Sequence, residues 1–553
     1  MVLRINPATA KQIAVCVTVS LVLSACSPTN SAAPGLEPTR AVATVNPASA
    51  ADVSVAATEA PVDTSSSPSD ASPTEAAPSS VARATDRPRA TAAAALAPLE
   101  PLAPSCTEVK PALTDASTPS PEVIPAAGPS GQIVYLTGDG NIALTDATGS
   151  ITSAVTSDAF IDEASQTLRV YQFPTFSNDG ASLAFVEVDA NGATSNFTQT
   201  VHVAAAKDKP TVATLYETTV SNIPYLDWSP DSSKLAFLTI AQAKGAIRLV
   251  SPSGGPISTL DIGSSAYWHW RNDSTAIVAH LGGAHSASSD AHIAVIDTFD
   301  LATDTSQVTR LESLPGQFQA PQFSPNGKFM LYVAGLGAGP TSDVNDLILA
   351  DAAGKPVCTV TRMESGAFFA WSPSGAQIAY LDTQSPLQLP RPLTILDLET
   401  GKRVQVDRDG IMFFWSPSGN RLALYSIFDL GTGSSSQSNG GGVLSAPASA
   451  RANAPAQQSQ KVLRIEMIDA GTGKAVKVAD TLPTRDMGAF FQFFDQYSRA
   501  MTPWSPDGRS LVFVSAASSA ATADIGVATL SPSGSSVNLT HIATGSMAFW
   551  SPK

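Results

Sequence analysis

One phrase recurs along the chain from about residue 170 onward and constrains the fold more than any other feature. An aromatic residue comes first, then Ser-Pro or a similar pair, then a short turn rich in Asp, Asn, Ser and Gly, and finally an apolar run such as "LAFV". Eight copies start at Phe176, Trp228, Trp270, Phe323, Trp371, Trp415, Trp504 and Trp550. Six of the seven tryptophans occupy this position, so the phrase is a true internal repeat.

The spacing of the copies predicts what each repeat folds into. Successive copies start 42 to 53 residues apart, except for 89 residues between Trp415 and Trp504. The regular interval matches one four-stranded blade of a β-propeller. The long interval contains residues 431–460, a Gly-, Ser- and Ala-rich segment that we interpret as a low-complexity loop insertion.

Each part of the phrase fits the corner between the first two strands of a blade. The aromatic residue would end the inner strand and pack between neighbouring blades, with Pro placed where no ladder donor is needed. A following Gly accepts the positive φ of a tight turn. The apolar run shows no alternation, as expected for a strand that is covered on both faces.

These repeats resemble the TolB-like propeller repeat, also called the WD40-like or PD40 repeat. The resemblance covers roughly residues 131–553 and implies an all-β domain of four-stranded antiparallel blades.

The two ends of the repeat region predict eight blades. The last copy, "GSMAFWSPK", has a first strand only, whereas residues 133–157 supply three strands with no first strand before them. Together they complete one blade and close the ring, which leaves no exposed edge strand. A seven-bladed propeller is the alternative if the atypical unit at Trp270 is not an independent blade.

The amino terminus indicates export. Arg4 and Lys11 precede an apolar stretch from Ile13 to Leu23, which is too short to span a bilayer as a mature helix and is typical of a signal peptide. "LSAC", ending at Cys26, resembles the lipobox of bacterial lipoproteins. The resemblance implies removal of residues 1–25, lipidation of Cys26 and anchoring to a bacterial membrane on the periplasmic or outer side. An ordinary signal peptide remains the alternative.

Residues 26–130 are rich in Ala, Pro, Ser and Thr. Such a composition buries too little apolar surface to offset its ordering entropy, so we expect a disordered tether. If Cys16 leaves with the signal and Cys26 carries lipid, only Cys106 and Cys358 remain, and an exported compartment permits at most one disulfide between them.

Composition and motifs argue against two classes of function. Charged residues make up 14% of the chain, the net charge is −15 and no Lys/Arg-rich run occurs, so we expect no nucleic-acid binding. The sequence contains no GxSxG, HExxH, P-loop or Rossmann motif, so no catalytic residue and no cofactor is predicted.

Two clusters are candidate sites on the face where binding loops of propellers commonly lie. The link before Trp504 holds Phe490, Phe491, Phe493, Phe494 and Tyr497. "GAFF" also occurs before Trp371, so part of this link is expected to be an inner strand, and the rest an exposed aromatic surface for a partner.

The second cluster is a loop with three of the six histidines. His280, His285, Asp290 and His292 could bind zinc or copper. Their spacing matches no regular metal site, and a solvated loop is the alternative.

The sequence therefore predicts a lipid-anchored, non-catalytic, monomeric propeller that binds an unidentified envelope protein or cell-wall component. The alternative is an enzyme or solute receptor that uses the central funnel, with a metal at the histidine loop.

Overall fold

The structure of this protein is a computed structural model. It describes residues 103–109, 131–242, 244–263, 266–282, 295–301, 307–312, 315, 319–335, 345–363, 367–382, 391–429, 461–491, 494–516 and 523–553. The predicted signal peptide, the lipidation site at Cys26 and the insertion at 431–460 lie outside these residues.

Eight antiparallel sheets form a propeller, and each sheet is one blade. We number the blades in chain order. The strands of blades 1 to 4 are as follows: blade 1, β1 (Gln132–Leu136), β2 (Ile142–Asp146), β3 (Thr152–Ala154) and the carboxyl-terminal β32 (Met547–Trp550); blade 2, β4 (Phe160–Asp162), β5 (Thr167–Phe176), β6 (Ser182–Asn191), β7 (Asn196–Ala205) and β8 (Val212–Thr218); blade 3, β9 (Asn222–Trp228), β10 (Leu235–Ala241), β11 (Lys244–Val250) and β12 (Ser258–Gly263); blade 4, β13 (Ala266–Trp270), β14 (Ala276–Leu281), β15 (Val295–Asp300) and β16 (Gln307–Arg310).

Blades 5 to 8 continue the same pattern. Their strands are as follows: blade 5, β17 (Gln322–Phe323), β18 (Phe329–Gly335), β19 (Asn345–Asp351) and β20 (Pro356–Met363); blade 6, β21 (Ala367–Trp371), β22 (Gln377–Asp382), β23 (Arg391–Asp397) and β24 (Arg403–Gly410); blade 7, β25 (Met412–Trp415), β26 (Arg421–Asp429), β27 (Lys461–Asp469) and β28 (Ala475–Thr481); blade 8, β29 (Ser510–Ser515), β30 (Ala523–Leu530) and β31 (Val537–Gly545). Three short helices accompany them: α1 (Cys106–Val109), α2 (Arg485–Phe491) and α3 (Phe494–Ala500).

The ring closes where the sequence predicts. In blade 1, β32 pairs with β1 so that Phe549 lies opposite Val134 and Trp550 opposite Ile133. The last strand is thus the inner strand of a blade whose other strands come from the start of the domain. The eight-bladed propeller is confirmed, and the seven-bladed alternative is wrong because the unit at Trp270 forms its own four-stranded sheet.

Two blades depart from four strands. Blade 2 has five, because β4 adds to the free side of β5. Blade 8 has three, and its inner position is held by an isolated bridge between Trp504 and Leu511.

The repeat aromatics occupy the predicted corner. All except Trp504 are the last residue of an inner strand, and all are buried except Trp415, which is partly buried. Three tryptophans also join neighbouring blades: the indole Nε1 of Trp228 donates to Thr175 O (3.1 Å), that of Trp415 to Ala370 O (3.3 Å) and that of Trp504 to Phe414 O (3.0 Å). Each acceptor directly precedes the aromatic residue of the previous blade, so in these three blades the tryptophan ties its blade to the one before it.

The serine that follows the aromatic residue anchors the turn. In blade 3, Ser229 Oγ donates to Asp231 Oδ1 (2.6 Å) and accepts a hydrogen bond from Lys234 N (2.9 Å). The turn glycine then contacts the previous blade: a Cβ added at Gly375, where φ is +74°, would lie 3.3 Å from Cδ of Pro325. The phrase is therefore both a strand corner and a contact between blades.

Alternation of strand direction gives the ring two faces. One face carries the turns between the first and second and between the third and fourth strands, and we call it the turn face. The other carries the loops between the second and third strands and the links between blades, and we call it the loop face. Of the two candidate sites, the described residues are the helices α2 and α3 in the link between blades 7 and 8, and His280 near the end of β14; both lie toward the loop face.

Residues 103–109 differ from the tether prediction, because they pack on blade 5. Cys106 in α1 and Cys358 in β20 form a disulfide, and both side chains are fully buried. Thr359 N donates to Pro104 O (2.8 Å), and Thr359 Oγ1 donates to Ala103 O (2.9 Å). The one disulfide that the sequence permits is therefore present, and it fixes this part of the predicted tether to the rim of the ring.

Candidate functional site

The link between blades 7 and 8 crosses the central channel at the loop face. It forms α2 and α3, whose aromatic side chains contact inner strands on opposite sides of the ring. Tyr497 stacks on Phe173 of blade 2, with ring centroids 5.5 Å apart, and Phe494 meets Phe368 of blade 6 at 4.7 Å. A segment that touches blades on both sides of the axis must lie across the channel, so we call α2 and α3 the plug.

Burial of the plug corrects the predicted aromatic surface. The side chains of Phe490, Phe494 and Tyr497 are 1%, 3% and 1% exposed. These three residues therefore do not form an exposed surface, because the channel provides an apolar site that is filled by their rings. Phe491 lies in α2, and Phe493 lies outside the described residues.

The expected inner strand in this link is also wrong. "GAFF" gives Ala367–Phe369 in β21 but Ala489–Phe491 in α2. In β21 a neighbouring strand satisfies the backbone hydrogen bonds of this segment. Inside the channel no neighbouring strand is present, and the same four residues form a helix that satisfies its own backbone hydrogen bonds.

Hydrogen bonds hold the plug to blades 3 and 5. Tyr497 Oη donates to Pro224 O, Tyr225 Oη donates to Gln496 O (2.9 Å), and Ala320 N donates to Asp495 Oδ2 (3.1 Å). Complete burial raises the pKa of Tyr497, which keeps its hydroxyl a donor. An apolar cavity of only about 20 Å³, roughly the room of one water molecule, lies between the plug and blades 7 and 8.

The predicted metal ligands are only partly described. His280 lies in strand β14, not in a loop, and is fully buried. Its Nδ1 is 3.2 Å from Gln319 O, and burial lowers its pKa to about 4 although that hydrogen bond opposes the shift. His285, Asp290 and His292 lie outside the described residues. No group of three or more potential metal ligands occurs in the described part of the chain, and the metal site stays a prediction.

Blade 2 carries a projection on the loop face that the sequence analysis did not identify. Strands β5, β6 and β7 have ten residues each, which is longer than the strands of the other blades. The register of β5 shifts between Gln172 and Thr175, and Phe173 there has a φ of +53°. This bulge bends β5, directs Phe173 onto the plug and lets residues 167–172 rise above the ring.

A polar network stabilises the projection. Arg169 donates from Nε to Asp189 Oδ1 and from Nη2 to Asp189 Oδ2, both at 2.9 Å, and from Nη1 to Asp158 Oδ2 at 2.8 Å. Tyr171 Oη donates to Asp158 Oδ1 (2.7 Å) and Glu187 Oε2 (3.2 Å). Burial and the adjacent carboxylates raise the pKa of Tyr171, so the phenol remains a donor.

His202 extends this network toward the outer strands. Its Nε2 lies 3.2 Å from Glu187 Oε2, and its Nδ1 lies 3.3 Å from Thr214 Oγ1. The carboxylates are thus satisfied by one guanidinium, one phenol and one imidazole, and the cluster has the form of a scaffold for the projection.

Strand β4 lies on the inner side of the projection. It pairs with β5 so that Phe160 is opposite Arg169 and Ile161 opposite Leu168. All three of its side chains are exposed. A signal for it was present in the sequence, since "AFIDEASQTLRV" reads as two short β segments around a polar turn.

Blade 7 carries a second extension of the same face. Strands β26 and β27 have nine residues each and lead to the predicted insertion at 431–460. Arg464 lies 3.5 Å from the ring centroid of Phe428, a cation–π contact that orders the end of this hairpin.

None of the described helices is long and apolar enough to cross a membrane.

Comparisons with known proteins describe the fold and nothing further. No family model and no curated protein matches the sequence. Among solved structures, TolB from Acinetobacter baumannii is 17% identical, with a TM-score of 0.31 over 50% of this chain and 64% of that chain. The match thus spans less than two thirds of the TolB chain.

Two other similar structures are as remote. An oligogalacturonate lyase in complex with manganese is 14% identical, with a TM-score of 0.41 over 68% of this chain and 97% of that one. A eukaryotic initiation factor is 11% identical, with a TM-score of 0.42 over 76% and 99%. Because similarities this low carry no argument about activity, the propeller assignment rests on the sheets of this chain.

Proposed function

We propose that this protein is a non-catalytic binding module, anchored by lipid at Cys26 to the periplasmic or outer side of a bacterial membrane. Its propeller would present the loop face to an envelope protein or cell-wall component. The observation that carries this proposal is the plug, because the buried rings of Phe490, Phe494 and Tyr497 occupy the channel at the loop face and block entry of a substrate or solute from that side. Binding by the loop face remains available to a propeller with a closed channel.

The loop face also has the features of a binding surface. It bears the projection of blade 2, the extended hairpin of blade 7 and exposed apolar side chains such as Val220, which is 75% exposed in the link between blades 2 and 3. The turn face repeats the same short corner from blade to blade. Irregular, projecting segments on a rigid ring are the usual place for recognition.

Photo-cross-linking in the native membrane tests this proposal. A photoreactive amino acid is placed at Val220 on the loop face and, in a matched preparation, at Ile151 on the turn face, which is 65% exposed. After irradiation, mass spectrometry identifies the attached molecules. We expect one dominant partner from Val220 and none from Ile151. Equal products from both positions, or none from either, would overturn the proposal.

The anchor has a separate test. We expect the wild-type protein to sediment with membranes and to carry lipid on Cys26, and Cys26→Ser to remain in the soluble exported fraction. Retention of Cys26→Ser in the membrane fraction would show that another contact holds the protein there.

A further inference from the structure

Strand β4 presents apolar side chains to solvent on both of its faces. Phe160 is 45% exposed and Ile161 is 48% exposed, and successive residues of a strand point in opposite directions. Large apolar side chains exposed on an edge strand form a site to which another strand can add.

The edge of β4 that faces away from β5 has no strand partner among the described residues. Sheet order in blade 2 runs β4-β5-β6-β7-β8, so β4 ends the sheet on its inner side. An extended peptide that pairs with this edge would gain main-chain hydrogen bonds and would place its apolar side chains beside Phe160 and Ile161.

The strand is held in place before any partner arrives. Ala159 N donates to Asn141 Oδ1 (3.1 Å), and Tyr171 N donates to Gly140 O (2.9 Å), which fixes both sides of the β4–β5 hairpin to blade 1. A preordered edge loses less conformational entropy when it binds a peptide.

Charge indicates the chemistry of the partner. Asp162 ends β4, and Asp158 and Glu163 lie within two residues of the strand in the chain. Arg169 pairs with Asp158 and with Glu187 and Asp189 of β6. Asp162 and Glu163 are exposed at the end of the strand, and hydrogen bonds from Ser165 and Ala164 keep the pKa of Asp162 below its usual range. The excess of negative charge favours a basic partner.

We propose that β4 is a docking edge for an extended segment of a partner protein in which two adjacent apolar residues are flanked by Lys or Arg. The segment pairs with the open edge of β4, packs one apolar side chain on Phe160 and the other on Ile161 on the opposite face, and directs its basic side chains toward Asp162 and Glu163. This inference rests on the proposed function and names the surface and the chemistry through which it would act.

Peptide binding to the full-length protein in detergent provides the test. The probe is a fluorescent peptide with a central Val-Val pair flanked by Lys on both sides, with the same peptide carrying Glu in place of Lys as its charge control, and fluorescence anisotropy gives Kd. We expect binding of the lysine peptide only, weaker at high salt. The double variant Phe160→Ser, Ile161→Ser should weaken binding about tenfold, because about half of each side chain is available for burial.

The matched control is the double variant Val308→Ser, Leu539→Ser, whose residues are 51% and 59% exposed on the outermost strands of blades 4 and 8. It should bind the peptide as the wild type does. An equal loss of peptide affinity in both double variants, or no peptide binding by the wild type, would overturn the inference. Self-association that requires Phe160 and Ile161 would overturn it in favour of a second copy of this chain.

The two proposals fail separately. A partner captured from Val220, together with peptide binding that does not depend on β4, would remove only the docking edge. Absence of any partner from the loop face in membranes would remove the proposed function.

Discussion

The hydroxyl of Tyr497, in the link between blades 7 and 8, donates a hydrogen bond to the main-chain carbonyl of Pro224, on the inner strand of blade 3. The two residues are 273 positions apart in the chain. This contact joins segments that lie across the ring from each other, so the plug stabilises the propeller as well as filling its channel.

Tyr497→Phe tests that stabilising contact. Removing the hydroxyl leaves the buried carbonyl of Pro224 without this donor, and we expect the free energy of unfolding to fall by about 1–2 kcal/mol. Denaturant titration followed by tryptophan fluorescence measures it. Tyr216→Phe, on the outer strand β8, is the control and should change stability by less than about 0.5 kcal/mol. Equal stability of Tyr497→Phe and the wild type would show that the hydroxyl contributes nothing.

Two glycines with the same backbone conformation separate strain from packing. Gly354 and Gly254 have φ of +85° and +83°. A Cβ at Gly354 would lie 2.4 Å from Cγ of Leu311, whereas one at Gly254 would meet nothing within 4 Å. We expect Gly254→Ala to lower the free energy of unfolding by about 1 kcal/mol through backbone strain. Gly354→Ala should lower it by about 1–3 kcal/mol more, because its Cβ also collides with Leu311. Thermal unfolding compares them, and equal losses would contradict the contact between blades 4 and 5.

The disulfide should stabilise the whole domain. Cys106 and Cys358 are 252 residues apart, so their bond restricts a long loop in the unfolded chain. We expect Cys358→Ser to lower the free energy of unfolding by about 2–5 kcal/mol. The double variant Cys106→Ser, Cys358→Ser should match the single variant. An unchanged unfolding midpoint after reduction of the wild type would indicate that the bond does not form.

Acid should weaken the turns that follow the repeat aromatics. Partial burial raises the pKa of Asp231, but hydrogen bonds from Ser229 and Ser233 outweigh it and lower the pKa to about 2. A carboxylate with a depressed folded-state pKa contributes stability above its unfolded value, and that contribution is lost as pH falls from about 4 to 2. Asp231→Asn should therefore show a shallower loss of stability over this range in unfolding titrations. A slope equal to that of the wild type would contradict the assignment.

Local sequence chemistry predicted most of the fold. In five of the eight copies the aromatic residue, the serine and a glycine specify a strand end, a turn anchor and a positive φ within one short segment, so residues such as Trp371, Ser372 and Gly375 could be placed without tertiary information. In the copies at Trp228 and Trp270, Ser232 and Ser274 take the positive φ instead. Closure of the ring by Trp550 followed from the unmatched strands at the two ends. The strand ends and turns depend on neighbours in the chain, whereas ring closure depends on the pairing of β1 with β32.

The candidate site was less predictable because it depends on distant contacts. The residues "GAFF" at 488–491 form a helix because they pack inside the central channel. The channel is formed by blades that are distant in the sequence, so neighbouring residues could not predict this packing. Asp158, Arg169 and Asp189 form their network only after β4, β5 and β6 pair. Cys106 lies in a segment whose composition predicts disorder, and only its bond to Cys358 and its contacts with β20 reveal the packed segment.

Hydrogen exchange in the link between blades 7 and 8 tests whether the plug closes the channel. Mass spectrometry would follow deuterium uptake by residues 485–500 in the full-length protein. We predict protection close to that of the neighbouring inner strand β25, because the side chains of both are buried in one core. Exchange as fast as that of an exposed loop would show that the plug does not close the channel.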